Sequence, residues 1–184
     1  MRAQFPAIVT RPIRIPTYAA VRANLEKALR LFLNREAKLF TALVGERALT
    51  GSLAPYLRQT FTPWDADPEY DSFGNVRKRS PIESRRRSKH TNGHLVTPDV
   101  IVHHRLLPTA NLLAIEAKSE DDRRGVDKDR EKLASYLGPP LHYSYVALLV
   151  FSASKLPRCT YELFRQGDDP KRPNQSRGCV ISQN

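Results

Sequence analysis

Between Leu95 and Ser119 the chain reads LVTPDVIVHHRLLPTANLLAIEAKS, two apolar, β-branched runs either side of a short link that contains Pro108 and Asn111. That pattern predicts two adjacent strands joined by a tight connection. Charges interrupt it at Asp99 in the first run and at Glu116 and Lys118 in the second. Side chains alternate faces along a strand, so Glu116 and Lys118 share one face while Leu113, Ile115 and Ala117 point the other way, into a core. If the strands pair as a hairpin, Asp99 reaches the same end of the sheet. Burying charge is costly unless it is paired or bound to a metal, so these three residues need an explanation.

The rest of the chain supplies a frame for them. Val21, Leu25, Ala28, Leu29 and Phe32 recur at helical spacing and predict a helix over Tyr18 to Asn34, with Thr17 as its cap. This N-terminal half reads as packing rather than an oligomer contact. A second helix is expected from Gly45 to Gln59, where Glu46 heads a stripe of Leu49, Leu53 and Tyr56 or Leu57; Pro55 predicts a kink near Gly51. Glu69 to Phe73 reads as a first strand. The alternating acids Asp65, Asp67, Glu69 and Asp71 read as solvated surface, with only Glu69 a contributor to a site. A third helix is expected over Asp127 to Leu137, with Asp127 and Asp129 in its first turn and Leu133, Tyr136 and Leu137 buried. Lys132 stands one residue off that stripe. Tyr143 to Ser152, the most apolar run, reads as a central strand, and Thr160 to Phe164 as an edge strand. One domain then spans residues 17–165, after an extended arm at 1–16 and before a disordered tail at 166–184.

Charge indicates the partner. The formal net charge is +11 over 184 residues, an excess that favours a polyanion, nucleic acid before membrane, because basic groups release counterions from phosphates. Six of those eleven net charges fall between Val76 and His90. Residues 76–93 are nearly devoid of apolar side chains and read as a mobile basic loop. Arg77, Lys78, Arg79, Arg85, Arg86, Arg87 and Lys89 in that loop, with Lys132, are the expected contacts to a nucleic-acid backbone. No apolar run approaches the roughly 20 residues of a membrane span, so a membrane partner is not expected. Two cysteines, Cys159 and Cys179, make neither a disulfide framework nor a Cys-rich zinc site, and a reducing cytoplasm is the simplest home. His103 shares the face of Asp99, but no third His or Cys stands near it and His104 to complete a zinc site. An ordinary strand-end histidine is the preferred reading of it.

The order is helix with Glu46, strand, strand with Pro98-Asp99, strand with Glu116-Ala117-Lys118, helix, strand. This resembles the PD-(D/E)xK nuclease superfamily, whose restriction-endonuclease-like fold is a mixed sheet flanked by helices. The resemblance covers roughly Val44 to Ser152. It is also similar to a group of small bacterial members with a helix glutamate (here Glu46-Arg47), a proline-aspartate run ending in His-Arg (Pro98 to Arg105), and an Asn-Leu-Leu strand ending in Glu-x-Lys (Asn111 to Lys118). The bare motif is short. Its weight comes from both halves lying on expected strands with helices in the matching order.

The resemblance implies an α/β fold and a metal-dependent nuclease that hydrolyses phosphodiesters in DNA. Asp99, Glu116 and the carbonyl of Ala117 would offer hard oxygens to Mg²⁺ or Mn²⁺, and Lys118 would orient a water and offset transition-state charge. Glu46 would complete the acidic cluster, as a second-metal ligand or through a bound water. The alternatives are a nucleic-acid-binding module or a subunit of a defence or repair complex on the same fold, and an adaptor whose charges are structural. The sequence does not decide between DNA and RNA, between endo- and exonuclease, or between monomer, homodimer and larger complex.

Overall fold

A computed structural model describes residues 13–183 except 43, 71, 74–75, 78, 81–93, 96, 106, 108–109, 121–124, 153–155 and 173–176. The chain opens with α1 (Tyr18–Arg35), a short α2 (Ala37–Thr41) and α3 (Glu46–Thr60). Thr17 caps α1 by accepting from the Ala20 amide at 3.4 Å. The helix α3 runs continuously through Pro55. Then come β1 (Asp65–Pro68), four two-residue strands β2 (Ser72–Phe73), β3 (Val76–Arg77), β4 (Arg79–Ser80) and β5 (His94–Leu95), and the central pair β6 (Val100–His103) and β7 (Asn111–Ser119). The chain continues with α4 (Val126–Leu137), β8 (Tyr145–Ser152), β9 (Arg158–Arg165) and β10 (Arg177–Ile181).

The result is α/β, with a six-stranded mixed sheet in the order β1-β6-β7-β8-β9-β10. Only β7 and β8 are parallel, because α4 carries the chain back between them; such a pair needs a crossover, and a helix is the usual one. Alternation along the strands sorts the core. Val100, Val102, Leu113, Ile115, Ala117, Ala147, Leu149 and Phe151 pack with the buried stripes of α1 and α3. Ile101, Ala114, Val146 and Leu148 pack with Leu133, Tyr136 and Leu137 of α4 on the other face. The stripes of α1 and α3 fall where helical periodicity puts them. Fully burying a side chain such as Leu53 or Phe32 contributes about 1.5–3 kcal/mol.

Four expectations change. The first strand is β1, earlier than Glu69–Phe73, because Ala66 and Asp67 are both buried against β6. Within the expected basic loop, Val76–Arg77 and Arg79–Ser80 are paired backbone, β3 with β2 and β4 with β5. Residues 81–93 lie outside the described residues, as do 1–12 of the expected arm. The strand β9 is interior, and the tail read as disordered supplies the edge strand β10, paired with β9 from Arg177↔Glu162 to Ile181↔Arg158. Two local devices make that pairing. Arg177 Nε donates to Glu162 at 2.8 Å, and Gly178, opposite Tyr161, lacks the Cβ that would collide with the tyrosine ring. In sequence this strand is five residues among Gly, Pro, Asn and Ser, too short for its alternation to stand out.

Candidate functional site

The register of β6 and β7 pairs Val100 with Ile115 and Ile101 with Ala114, and its continuation sets Asp99 opposite Glu116. The contact is direct. Asp99 Oδ2 accepts from the Ala117 amide at 2.8 Å, so the two halves of the motif meet at one end of adjacent strands. Glu116 is buried, 1% exposed. Lys118 leaves the same face one pleat further and reaches α3, where Glu46 Oε2 lies 2.8 Å from Lys118 Nζ. The Ser119 amide donates to the other Glu46 oxygen at 3.1 Å. Glu46 thus joins the group through Lys118, from the first turn of its helix.

The helix α4 completes the cluster with Asp129, Lys132 and Tyr136. Lys132 Nζ donates to Glu116 Oε2 at 2.8 Å and lies 2.9 Å from Asp129 Oδ1. Tyr136 Oη donates to Glu116 Oε1 at 2.6 Å. Lys132, expected to contact a nucleic-acid backbone, pairs as an internal cation with Glu116 and Asp129, which are both buried and require a partner, while its side chain stays 37% exposed. Asp129, read as a first-turn acid, is 2% exposed; its Oδ2 makes no hydrogen bond and sits 3.5 Å from Lys118 Nζ. A signal for Asp129 was present in the sequence. It stands at i, i+4 and i+7 with Leu133 and Tyr136, on the face that must be buried.

The electrostatics follow from four carboxylates facing two ammonium groups. Burial pushes the Glu116 carboxyl up to about 7, and the charge of Asp99 adds to this against the opposing pull of Lys132 and Tyr136. Burial also raises Asp99, with the Ala117 amide and the two lysines only partly offsetting it. Burial works against the charge of Lys118, yet Glu46, Asp129 and Asp99 outweigh it and hold its pKa above that of an ordinary lysine. Lys132 behaves in the same way, kept cationic by Glu116 and Asp129 in spite of burial.

A divalent cation fits this group by charge and by donor chemistry, since Asp99, Glu116 and the Ala117 carbonyl are hard oxygens and Asp129 Oδ2 is a buried acceptor without a hydrogen bond. The set is not preassembled. Among the described residues no three His, Cys, Asp or Glu side chains already converge as a ligand group, and both oxygens of Glu116 are engaged by Lys132 and Tyr136.

A second polar cluster at the far end of β6 accounts for other residues. His103 Nε2 lies 2.9 Å from Asp67 Oδ2, Arg105 Nε donates to the same oxygen at 2.8 Å, and Arg58 Nη2 donates to Asp67 Oδ1 at 3.1 Å. Asp67 is therefore a buried structural anchor and not solvated surface, and His103 is its partner. Glu69 pairs with Arg47, and its amide donates to the Asp99 carbonyl at 3.0 Å. Arg77 and Arg79 lie on β3 and β4, but their side chains, and Lys78, Arg85, Arg86, Arg87 and Lys89, fall outside what is described. No helix among the described residues is long and apolar enough to cross a membrane. Compared with protein-family models and with curated proteins, the chain matches no family and no relative.

Proposed function

We propose that the protein is a metal-dependent nuclease that hydrolyses phosphodiester bonds in DNA, built on a restriction-endonuclease-like arrangement. One observation carries this reading. Asp99 hydrogen-bonds the amide between Glu116 and Lys118, so an aspartate and a Glu-x-Lys triplet share one strand end between two helices. The order α3-β1-β6-β7-α4-β8 is the order of the resemblance.

Asp99, Glu116 and the Ala117 carbonyl would hold Mg²⁺ or Mn²⁺, with Glu46 and Asp129 adding negative charge around them. When bound, such an ion polarises a phosphoryl oxygen and lowers the pKa of a coordinated water. Lys118 enters as a cation because Glu46 and Asp129 keep it charged. It would orient the attacking water and donate a hydrogen bond to a non-bridging phosphate oxygen. Charge growing on that oxygen is then met by a preoriented donor. Glu46 fixes the Lys118 rotamer, and Lys132 and Tyr136 orient the Glu116 carboxylate. The surplus of Lys and Arg would supply sequence-independent backbone affinity.

The test is cleavage of plasmid and single-stranded DNA in Mg²⁺, Mn²⁺ or chelator by the natural chain and by Lys118→Ala. Metal-dependent cutting that falls by about 10²-fold or more in the variant is the expected result. A second reading, a nucleic-acid-binding module that does not cut, draws on the engagement of both Glu116 oxygens by Lys132 and Tyr136. It predicts salt-sensitive DNA binding and no turnover with either metal.

A further inference from the structure

The helix α4 packs on β7 and β8, and beyond it, over β8, β9 and β10, lies a cavity of about 680 Å³, within the range of roughly 300–1,000 Å³ typical of small-molecule sites. Its floor is defined by strand register. One cross-strand row runs Glu116↔Leu148↔Glu162↔Arg177, and the next runs Lys118↔Val150↔Thr160↔Cys179. The first residue of each row belongs to the candidate active site, and the other three of each row line the cavity. At about 4.8 Å per strand, Thr160 stands roughly 10 Å from Lys118 along the sheet.

The chemistry of the lining is aliphatic with a polar rim. Leu148 and Val150 form the floor, and Val126 and Asp127 at the start of α4 line it together with Thr160. Glu162, 8% exposed, is held by both oxygens to Arg130 Nη2 at 2.7 and 2.8 Å, so its charge does not repel an anionic chain. The buried Arg130 Nε has no hydrogen-bond partner. Arg177 also binds Glu162, yet its side chain is 60% exposed at the mouth, where its remaining N–H groups can meet a phosphate.

Resting on the nuclease reading, we propose that this cavity is a subsite for an unpaired nucleobase of the strand being cut, next to the scissile phosphodiester. A flat base fits between aliphatic walls, its exocyclic amino group donating to Asp127, while Arg177 takes the adjoining phosphate. A base held in a duplex cannot enter without being flipped out. The substrate class is therefore DNA with unpaired nucleotides, such as a single strand, a flap or a frayed end. A carboxylate accepts from the cytosine amino group, so cytosine is favoured over thymine.

Cys179 makes this testable without turnover, because it is exposed on the cavity row whereas Cys159 is buried. Iodoacetamide labelling of Cys179 is followed by mass spectrometry in Lys118→Ala with chelator, with oligonucleotide binding followed in parallel by fluorescence anisotropy. Saturating oligo(dC) should slow labelling by about tenfold, oligo(dT) less, and a blunt duplex hardly at all. Thr160→Trp, which fills the cavity from an exposed strand position, should weaken oligo(dC) binding by about tenfold with an unchanged circular dichroism spectrum. Bound oligo(dC) that leaves the labelling rate unchanged, a duplex that protects equally, or a folded Thr160→Trp that binds like the natural chain overturns the subsite alone. No binding of any DNA at low salt removes the nuclease reading and the subsite with it.

Discussion

Replacing Lys132 with Met tests whether the cluster is built as described. The ammonium lies 2.8 Å from Glu116 and 2.9 Å from Asp129, and removing it strands two carboxylates that are 1% and 2% exposed. Breaking a fully buried ion pair by deleting one partner costs about 3–5 kcal/mol. The Lys132 side chain is 37% exposed, and Tyr136 still donates to Glu116, so the lower part of that scale applies, about 2–3 kcal/mol. For a chain of this length that is a fall in Tm of roughly 5–10 °C. The assay is urea and thermal unfolding in chelator, as a double-mutant cycle with Glu116→Gln, which retains an acceptor for Tyr136. If the two groups are paired, the double variant should recover about 1–3 kcal/mol relative to the sum of the single ones. Additive effects, or a Lys132→Met chain as stable as the natural one, would refute the assignment of Lys132 as an internal cation and return it to the surface.

Three further outcomes follow from other contacts. Asp67 is held down to about 2 by its bond from Arg105, burial opposing and His103 assisting. A depressed carboxyl stabilises the fold above its ordinary pKa and loses that contribution as pH falls through the lower value, so Asp67→Asn should cost about 2 kcal/mol at pH 7 and almost nothing near pH 2, read from urea midpoints. Gly178→Ala should destabilise by about 1–3 kcal/mol, because the Tyr161 ring it meets is tethered through its hydroxyl to Glu26 and to Arg22 Nε at 3.0 Å; hydrogen exchange should show the loss in β9 and β10 first. Glu46→Gln removes the carboxylate that fixes Lys118 and should lower DNA cleavage by about 10- to 100-fold with the melting curve little changed.

What could be read from the sequence was whatever a single element encodes. The stripe of α3 with Glu46 at its head, the parity that sets Glu116 and Lys118 against Leu113, Ile115 and Ala117, and the run that became β8 all depend on local periodicity, and all appear in the structure. What could not be read depends on register between distant segments. Asp67 looked like surface because its three partners come from α3, the end of β6 and the loop that follows it. The strand β10 looked disordered because Arg177 and Gly178 acquire meaning only opposite Glu162 and Tyr161. Lys132 was ambiguous for a related reason. Its position one residue off the apolar stripe is compatible with either direction until β7 supplies a buried carboxylate underneath it.

The composition of the cluster also bears on the proposed cation. A fully satisfied network of equal charges could sit at this strand end as a structural feature and nothing more. Four carboxylates against two ammonium groups is not such a network. Glu116 is pushed up to about 7 by burial and by Asp99, and one buried oxygen of Asp129 is left without a hydrogen bond. Folding alone would remove these costs with apolar residues of similar size, since buried ion pairs are weak sources of stability. Their concentration at one end of β7 is the arrangement that the proposed cation site would require.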